Sequence, residues 1–161
     1  GGVKLNIKDE NGLREAFALI MDNCRKNAPE AVLEGVLLKP MLRAGTEIII
    51  GVNNDRDFGP MIMVGMGGVF VELFKDVQLA PAPLTMSQAE AMIGKLASYP
   101  LLNGYRGGPV CDKKALADLL VKISEMASEG KDTVKELDIN PVFITEDGAA
   151  IADALLVVYD D

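Results

Sequence analysis

Glu136, Asp138, Asn140 and Asp153 stand in an otherwise aliphatic stretch, "KELDINPVFITEDGAAIADALLVV", from Lys135 to Val158. Carboxylates beside aliphatic side chains are costly to bury unless something compensates them, so these groups face either water or a cation. The stretch reads as two β-strands, and alternation puts Glu136, Asp138 and Asn140 on one face with Leu137 and Ile139 on the other. With Asp147-Gly148 as a two-residue turn, Asp153 falls opposite Val142, on the Asn140 face. Diagonal neighbours in such a ladder lie about 7–8 Å apart or less, close enough for one ion to bridge. Asparagine and aspartate oxygens suit Mg²⁺, a hard cation held by one or two carboxylates together with substrate phosphates. The plain alternative is a polar outer face on a half-buried hairpin. Against it, this register puts Val142, Ile144 and Leu155 on that same face. A slip of one residue would carry Asp153 across the sheet.

Three further groups have chemistry to offer. Glu47 opens "EIIIGV" and could accept hydrogen bonds from sugar hydroxyls, or simply sit solvated at a strand start. "GMGGVFVE" (Gly65 to Glu72) is glycine-rich enough for a phosphate to approach the backbone, although a hairpin loop has the same composition. Arg106 lies between glycines in "NGYRGGP" and offers a cation for phosphate, with an ordinary loop arginine as the alternative.

Composition narrows the classes. The sequence contains no histidine, which removes His-based acid–base catalysis and His-ligated metals from this chain. A net charge of −8, with no lysine-rich run, disfavours nucleic acid and anionic membranes as partners. The glycine-rich uncharged stretch Phe58 to Val71 falls short of the roughly 20 apolar residues that span a bilayer. Two distant cysteines without a CxxC pattern fit a reduced cytoplasmic location.

Elements to position these groups follow from periodicity. Val3–Ile7 alternates like a strand, and Leu13, Phe17, Ile20, Met21 and Cys24 share a helical face. Strands are expected over Val36–Leu42 and Glu47–Asn53 as a hairpin around Arg43-Ala44-Gly45, then over Met61–Val64 and Val69–Phe74. Ala80 to Pro83 reads as an extended connector. Ser87 with Glu90 looks like a capping box, and Asp112 caps a helix carrying Leu116, Leu119, Leu120, Ile123 and Met126. The sum is α+β, with a mostly antiparallel sheet and packed helices.

Taken together, "EIIIGVNNDRDFGPMIMVGMGGVFVELFKDVQLAPAPL", "LLNGYRGGP" and "ELDINPVFITEDGAAIADALL" resemble the ATP-grasp domain of ADP-forming (NDP-forming) acyl-CoA synthetases, relatives of the succinyl-CoA synthetase β subunit. The resemblance runs through nearly the whole chain in the same order. It implies an acid–thiol ligase that interconverts acyl-CoA, ADP and phosphate with free acid, CoA and ATP. The phosphoryl group would ride on a histidine of a CoA-binding domain or partner subunit, within an oligomer. By position, Leu38, Lys39, Pro40, Met41 and Leu42 would form the adenine hinge and Glu47 would bind ribose. Asn140 and Asp153 would hold Mg²⁺, and Asp138 would lie near the phosphohistidine. The family's lysine-bearing phosphate strand and His-containing segment are not in this sequence. The resemblance therefore implies a partial ATP-grasp domain, with residues 1–42 ending the first lobe and hinge and 43–161 forming the second. Lys39 stands where the succinyl-CoA synthetase relatives have an acid, which leaves only backbone contact to the adenine amine. A rival reading is a non-catalytic regulatory module of the kind fused to protein lysine acetyltransferases; a subunit-interface module without nucleotide binding is another.

Overall fold

A computed structural model describes residues 1–68 and 75–159. The strand expected over Val69–Phe74, and the second half of the glycine-rich stretch, lie outside the described residues. The chain divides into two compact units, Gly1–Met41 and Leu42–Asp161.

In the first unit the one regular element is helix α1, Glu10–Asn27. Its N-cap is Asp9, whose carboxylate accepts from the Gly12 amide at 2.8 Å, and Arg25 and Lys26 meet the negative end of the helix dipole. Ala16 and Met21 are buried, whereas Phe17, expected on the packed face, is exposed. Val3–Ile7 and Val36–Leu42 form no strands. A strand needs a neighbour for its N–H and C=O groups, and this unit contains no second strand. Nor can Val36–Leu42 pair with the strand that follows, because both edges of that strand are taken.

That strand is β1, Thr46–Asp55, the centre of the second unit's sheet. It pairs antiparallel with β2 (Gly59–Met66) on one side and β4 (Val134–Thr145) on the other. β3 (Val77–Pro81) adds to β2, while β5 (Gly148–Ile151) and β6 (Ala154–Val158) both pair with β4. Ala80 and Pro81, the first half of the stretch expected as a connector, thus end an edge strand, and Pro81, which has no N–H to donate, closes it.

Two helices cover one face of the sheet. In α2 (Met86–Gly94) the capping box is Thr85 with Gln88, two residues before the expected pair: the Thr85 hydroxyl accepts from the Gln88 amide and the Gln88 side chain accepts from the Thr85 amide. In α4 (Lys113–Glu129), Asp112 caps as expected, accepting from the Ala115 amide at 3.0 Å. Ala89, Met92 and Ile93 of α2 and Leu116, Leu120 and Ile123 of α4 pack onto Ile48, Ile50, Ile62, Val64, Val142 and Ile144. Between the helices, α3 (Tyr99–Leu102) and a 3₁₀ turn (Tyr105–Gly107) form the irregular loop. Among the described residues of this unit no helix covers the opposite face of the sheet, which gives a two-layer α+β arrangement with one open face.

Asp76, just before β3, ties the open loop to the sheet. Its carboxylate accepts from the amides of Ala97 (2.9 Å) and Ser98 (2.8 Å) and from the Ser98 hydroxyl. Partial burial pushes its pKa up, but the Ser98 hydroxyl and the two amides outweigh that and hold it below the ordinary value of 3.8. A carboxyl depressed in the folded state contributes stability that is complete above its unfolded pKa and is lost as pH falls through its folded pKa. Acid unfolding curves of Asp76→Asn should therefore be flatter than those of the parent below about pH 4, where the parent's aspartate would otherwise titrate. Parallel acid titrations followed by circular dichroism check this.

Candidate functional site

The open face of the sheet is where the polar residues of β4 emerge. Ile48 of β1 pairs with Val142 and Ile50 with Ile139, so Asn140 and Pro141 together oppose Ile49. This β-bulge inserts one residue and switches the alternation. Leu137 and Ile139 before it, and Val142 and Ile144 after it, all face the core. The expectation that Val142 and Ile144 share a face with Asn140 is corrected: the open face keeps Glu136, Asp138 and Asn140, all exposed.

The second neighbour of β4 is interrupted at the same level. The loop of the last hairpin is Glu146-Asp147, with Thr145 paired to Gly148, rather than Asp147-Gly148. A type I′ turn needs positive φ at both central residues, and of those two only Gly148 has it. The ladder therefore sits two residues from the expected register, which preserves the face but changes the partner. Asp153 lies opposite Asn140: the Asn140 amide donates to the Asp153 carbonyl at 3.2 Å, and the Ala152 amide to the Pro141 carbonyl at 3.0 Å. β5 ends and β6 begins around Ala152-Asp153, so the irregularity on both sides of β4 converges on one point of the sheet.

Other open-face residues surround that point. Ile49 marks the bulge level, and Gly51 pairs with Asp138. Glu47 is one same-face step further along β1, about 7 Å from Ile49. A shallow cleft of about 770 Å³ runs over Ile49, Gly51, Met63, Asp138 and Leu155. Gly51 was not singled out from the sequence, although a glycine inside "EIIIGV" is the usual sign that something approaches a strand closely; here a Cβ would lie 3.1 Å from the Met63 Cε, so the glycine makes room for the Met63 side chain of β2.

Glu47 itself lines a second cleft, about 520 Å³, with Gly67, Gly68, Tyr105 and Gly108. The Gly67 amide donates to the Glu47 carbonyl at 2.7 Å. A Cβ on Gly67 would lie 3.0 Å from the Glu47 Cβ and 3.2 Å from its backbone, and Gly68 has φ +63°. Gly67→Ala should accordingly destabilise the unit by about 1–3 kcal/mol, as overpacking does, and displace Glu47; chemical denaturation checks the first effect.

Arg106 reaches this region on the 3₁₀ turn, with φ 52° and its guanidinium 5.4 Å from the centroid of the Tyr105 ring. Tyr105 was not anticipated from the sequence; the adjacency of an aromatic and an arginine between glycines was its only signal. Of the hinge candidates, Lys39, Pro40 and Met41 are exposed in the first unit and, with Leu38, Lys4 and Lys8, line a cavity of about 640 Å³. Leu42 opens the second unit. Next to it, Arg43 pairs with Asp147 at 2.7 Å and Glu146 at 3.3 Å. These pairs are exposed and so weak.

The donor chemistry suits a hard cation. Asn140 and Asp153 supply two oxygen donors, and among the described residues no cluster of three or more His, Cys, Asp or Glu surrounds them. Two such donors would leave the remaining positions of a Mg²⁺ ion to phosphate oxygens and water. Among the described residues, no helix is long and apolar enough to cross a membrane.

Comparison with known proteins follows the same lines. The family described as ATP-grasp domain matches residues 1–158. The chain is 46% identical over 158 residues to the β subunit of ADP-forming acetate–CoA ligase I of Pyrococcus furiosus, covering 98% of this chain and 68% of that subunit. Among solved structures, it matches acetyl-coenzyme A synthetase 1 of Ca. Korarchaeum cryptofilum in complex with coenzyme A, acetyl-coenzyme A and a phosphorylated phosphohistidine segment. The TM-score is 0.91 and the identity 38%, over 97% of this chain and 69% of that one. A second structure of that enzyme, with coenzyme A and Mg-AMPPCP, has its phosphohistidine segment pointing towards the nucleotide binding site. It matches with a TM-score of 0.85 and 35% identity, over 97% of this chain and 67% of that one.

Proposed function

The chain belongs to the ATP-grasp family, and on that premise we propose that it is the nucleotide-binding part of an ADP-forming acyl-CoA synthetase. The observation that carries this reading is that Asn140 and Asp153 oppose each other at one interrupted level of an open sheet face, with Asp138 one same-face step away along β4. The reaction is acyl-CoA + ADP + phosphate ⇌ acid + CoA + ATP, with the phosphoryl group carried by a histidine. This chain has no histidine, so that residue comes from a CoA-binding domain or subunit.

Each residue then has a role its surroundings support. Asn140 and Asp153 hold Mg²⁺, which when bound neutralises phosphate charge. Glu47, one step away along β1, accepts from the ribose hydroxyls. Lys39, Pro40, Met41 and Leu42 form the adenine hinge. Asp138, exposed on the open face, faces the incoming histidine and orients its ring. Arg106 offers a fixed cation to the phosphoryl oxygens. In such transfers the protein mainly positions groups and neutralises charge, which these residues can do without a nucleophile of their own.

Calorimetric titration of ADP, with and without Mg²⁺, into the chain alone and joined to the remainder of its subunit tests the reading. Mg²⁺-dependent binding supports it. A folded protein that binds neither ADP nor ATP would overturn it in favour of a regulatory, non-ligating module.

A further inference from the structure

We infer that Asp76 is a positioning residue for Arg106, latching the arginine-bearing loop in place for phosphoryl transfer; this rests on the function proposed above.

The loop is an almost self-contained piece. Asn103 donates to the Pro100 carbonyl and Gly104 to that of Leu101, which carries α3 into the 3₁₀ turn, where Gly107 and Gly108 donate to Gly104 and Tyr105. An isolated bridge between Asn103 and Val110, together with the Cys111 amide on the Leu102 carbonyl, closes its base. Its deep end is fixed, because Leu102 is fully buried and the Asp112 amide donates to Thr145. At its entrance, Asp76 accepts from the amides of Ala97 and Ser98 and from the Ser98 hydroxyl.

Ser98 is the N-cap residue of α3, yet its side chain makes no capping bond within that helix. A serine in that position ordinarily caps its own helix. Here the hydroxyl is spent on Asp76 instead, so the local helix end gives way to a tie to the sheet. Asp76 also sits where the β2–β3 connection returns, with its carbonyl 2.9 Å from where a Cβ on Gly65 would be. The same residue thus abuts the strand leading to Gly67 and Gly68 and holds the loop whose Tyr105 and Gly108 form the other wall of their cleft. Arg106, stacked on Tyr105, moves with that wall.

An asparagine at position 76 presents one acceptor and one NH₂ group, so it cannot accept from both amides and the hydroxyl with both ends. The test uses the complete enzyme, with its histidine-bearing partner, and measures single-turnover phosphorylation of that histidine by Mg-ATP alongside the dissociation constant of Mg-ADP. Asp76→Asn and Ser98→Ala should slow phosphorylation, Asp76→Asn by about 10²-fold, the scale of a displaced catalytic group, with Mg-ADP affinity unchanged. In an Arg106→Ala background, Asp76→Asn should add almost no further loss, because groups that act as a unit are not additive. Equal slowing by Asp76→Asn with and without Arg106 would overturn the inference, as would undiminished transfer in Asp76→Asn when Arg106→Ala is impaired. If Asp76→Asn does not fold, Ser98→Ala, which keeps both amides paired, decides alone. Loss of Mg-ADP binding by the parent enzyme would instead defeat the nucleotide reading.

Discussion

Asp153→Ala is expected to remove Mg²⁺-dependent nucleotide binding while leaving the fold intact. The side chain is exposed, and the strand contact at this point runs through the Asp153 carbonyl and the Asn140 amide, which alanine retains. The effect on folding should therefore stay within the roughly ±0.5 kcal/mol usual for exposed positions. The effect on binding should be large. Loss of groups that merely orient metal ligands already weakens binding about 10–100-fold. Loss of one of two protein ligands should exceed that, because the remaining amide oxygen carries no charge to offset the metal's. Calorimetry with Mg-ADP, beside a thermal unfolding curve, separates the two effects. Nucleotide affinity equal to the parent's would discard Asp153 as a ligand. ADP binding that persists but no longer responds to Mg²⁺ would confirm the ligand and show that the hinge and ribose contacts suffice for weak binding.

The candidate residues could be named from the sequence, but their geometry could not. Period-two alternation put Asp138 and Asn140 on one face of β4, and they are there. The same alternation carried on through Val142 and Ile144 and gave them the wrong face, because a single extra residue at Asn140-Pro141 leaves no mark on a hydrophobicity pattern. The hairpin loop failed for a related reason. Asp147-Gly148 has the composition of a type I′ turn, yet Thr145 accepts from the Asp147 amide through its hydroxyl at 3.2 Å, and the chain reverses one residue earlier. The resulting shift was even, so Asp153 stayed on the intended face and came directly opposite Asn140. The helices were easier, since a cap such as Asp112 acts locally and needs no partner strand. Val3–Ile7 and Val36–Leu42 show the converse: both have strand composition, and without a neighbour in their own unit neither becomes a strand. Glu47 and Arg106 were candidates by residue type and position alone, and the family resemblance added the ribose to Glu47; their neighbours Gly67 and Tyr105 emerge only from the fold.

Arg106 should behave oppositely towards stability and towards catalysis. It holds φ 52° and ψ 34°, a left-handed conformation that favours glycine, between Gly104 and Gly107, which also have positive φ. For a residue with a Cβ that conformation costs about 1–2 kcal/mol, so Arg106→Gly should relieve strain. Two losses oppose this gain: the contact with Tyr105, about 0.5–1 kcal/mol at an exposed site, and glycine's greater freedom in the unfolded chain. The melting temperature of Arg106→Gly should accordingly match or slightly exceed the parent's, while Arg106→Ala, which keeps the strain and loses the stacking, should fall below both. Phosphoryl transfer should fall in both variants by about 10³-fold or more, the scale at which an arginine stabilises a transferring phosphoryl group. A residue retained at a strained position for packing alone would show the reverse, with stability lost and transfer kept. Single-turnover phosphorylation of the partner histidine, measured with thermal unfolding on the same preparations, tells the two apart. If Arg106→Gly transfers phosphate at the parent's rate, Arg106 is an ordinary loop arginine, and the cation for the phosphoryl group must come from elsewhere in the enzyme.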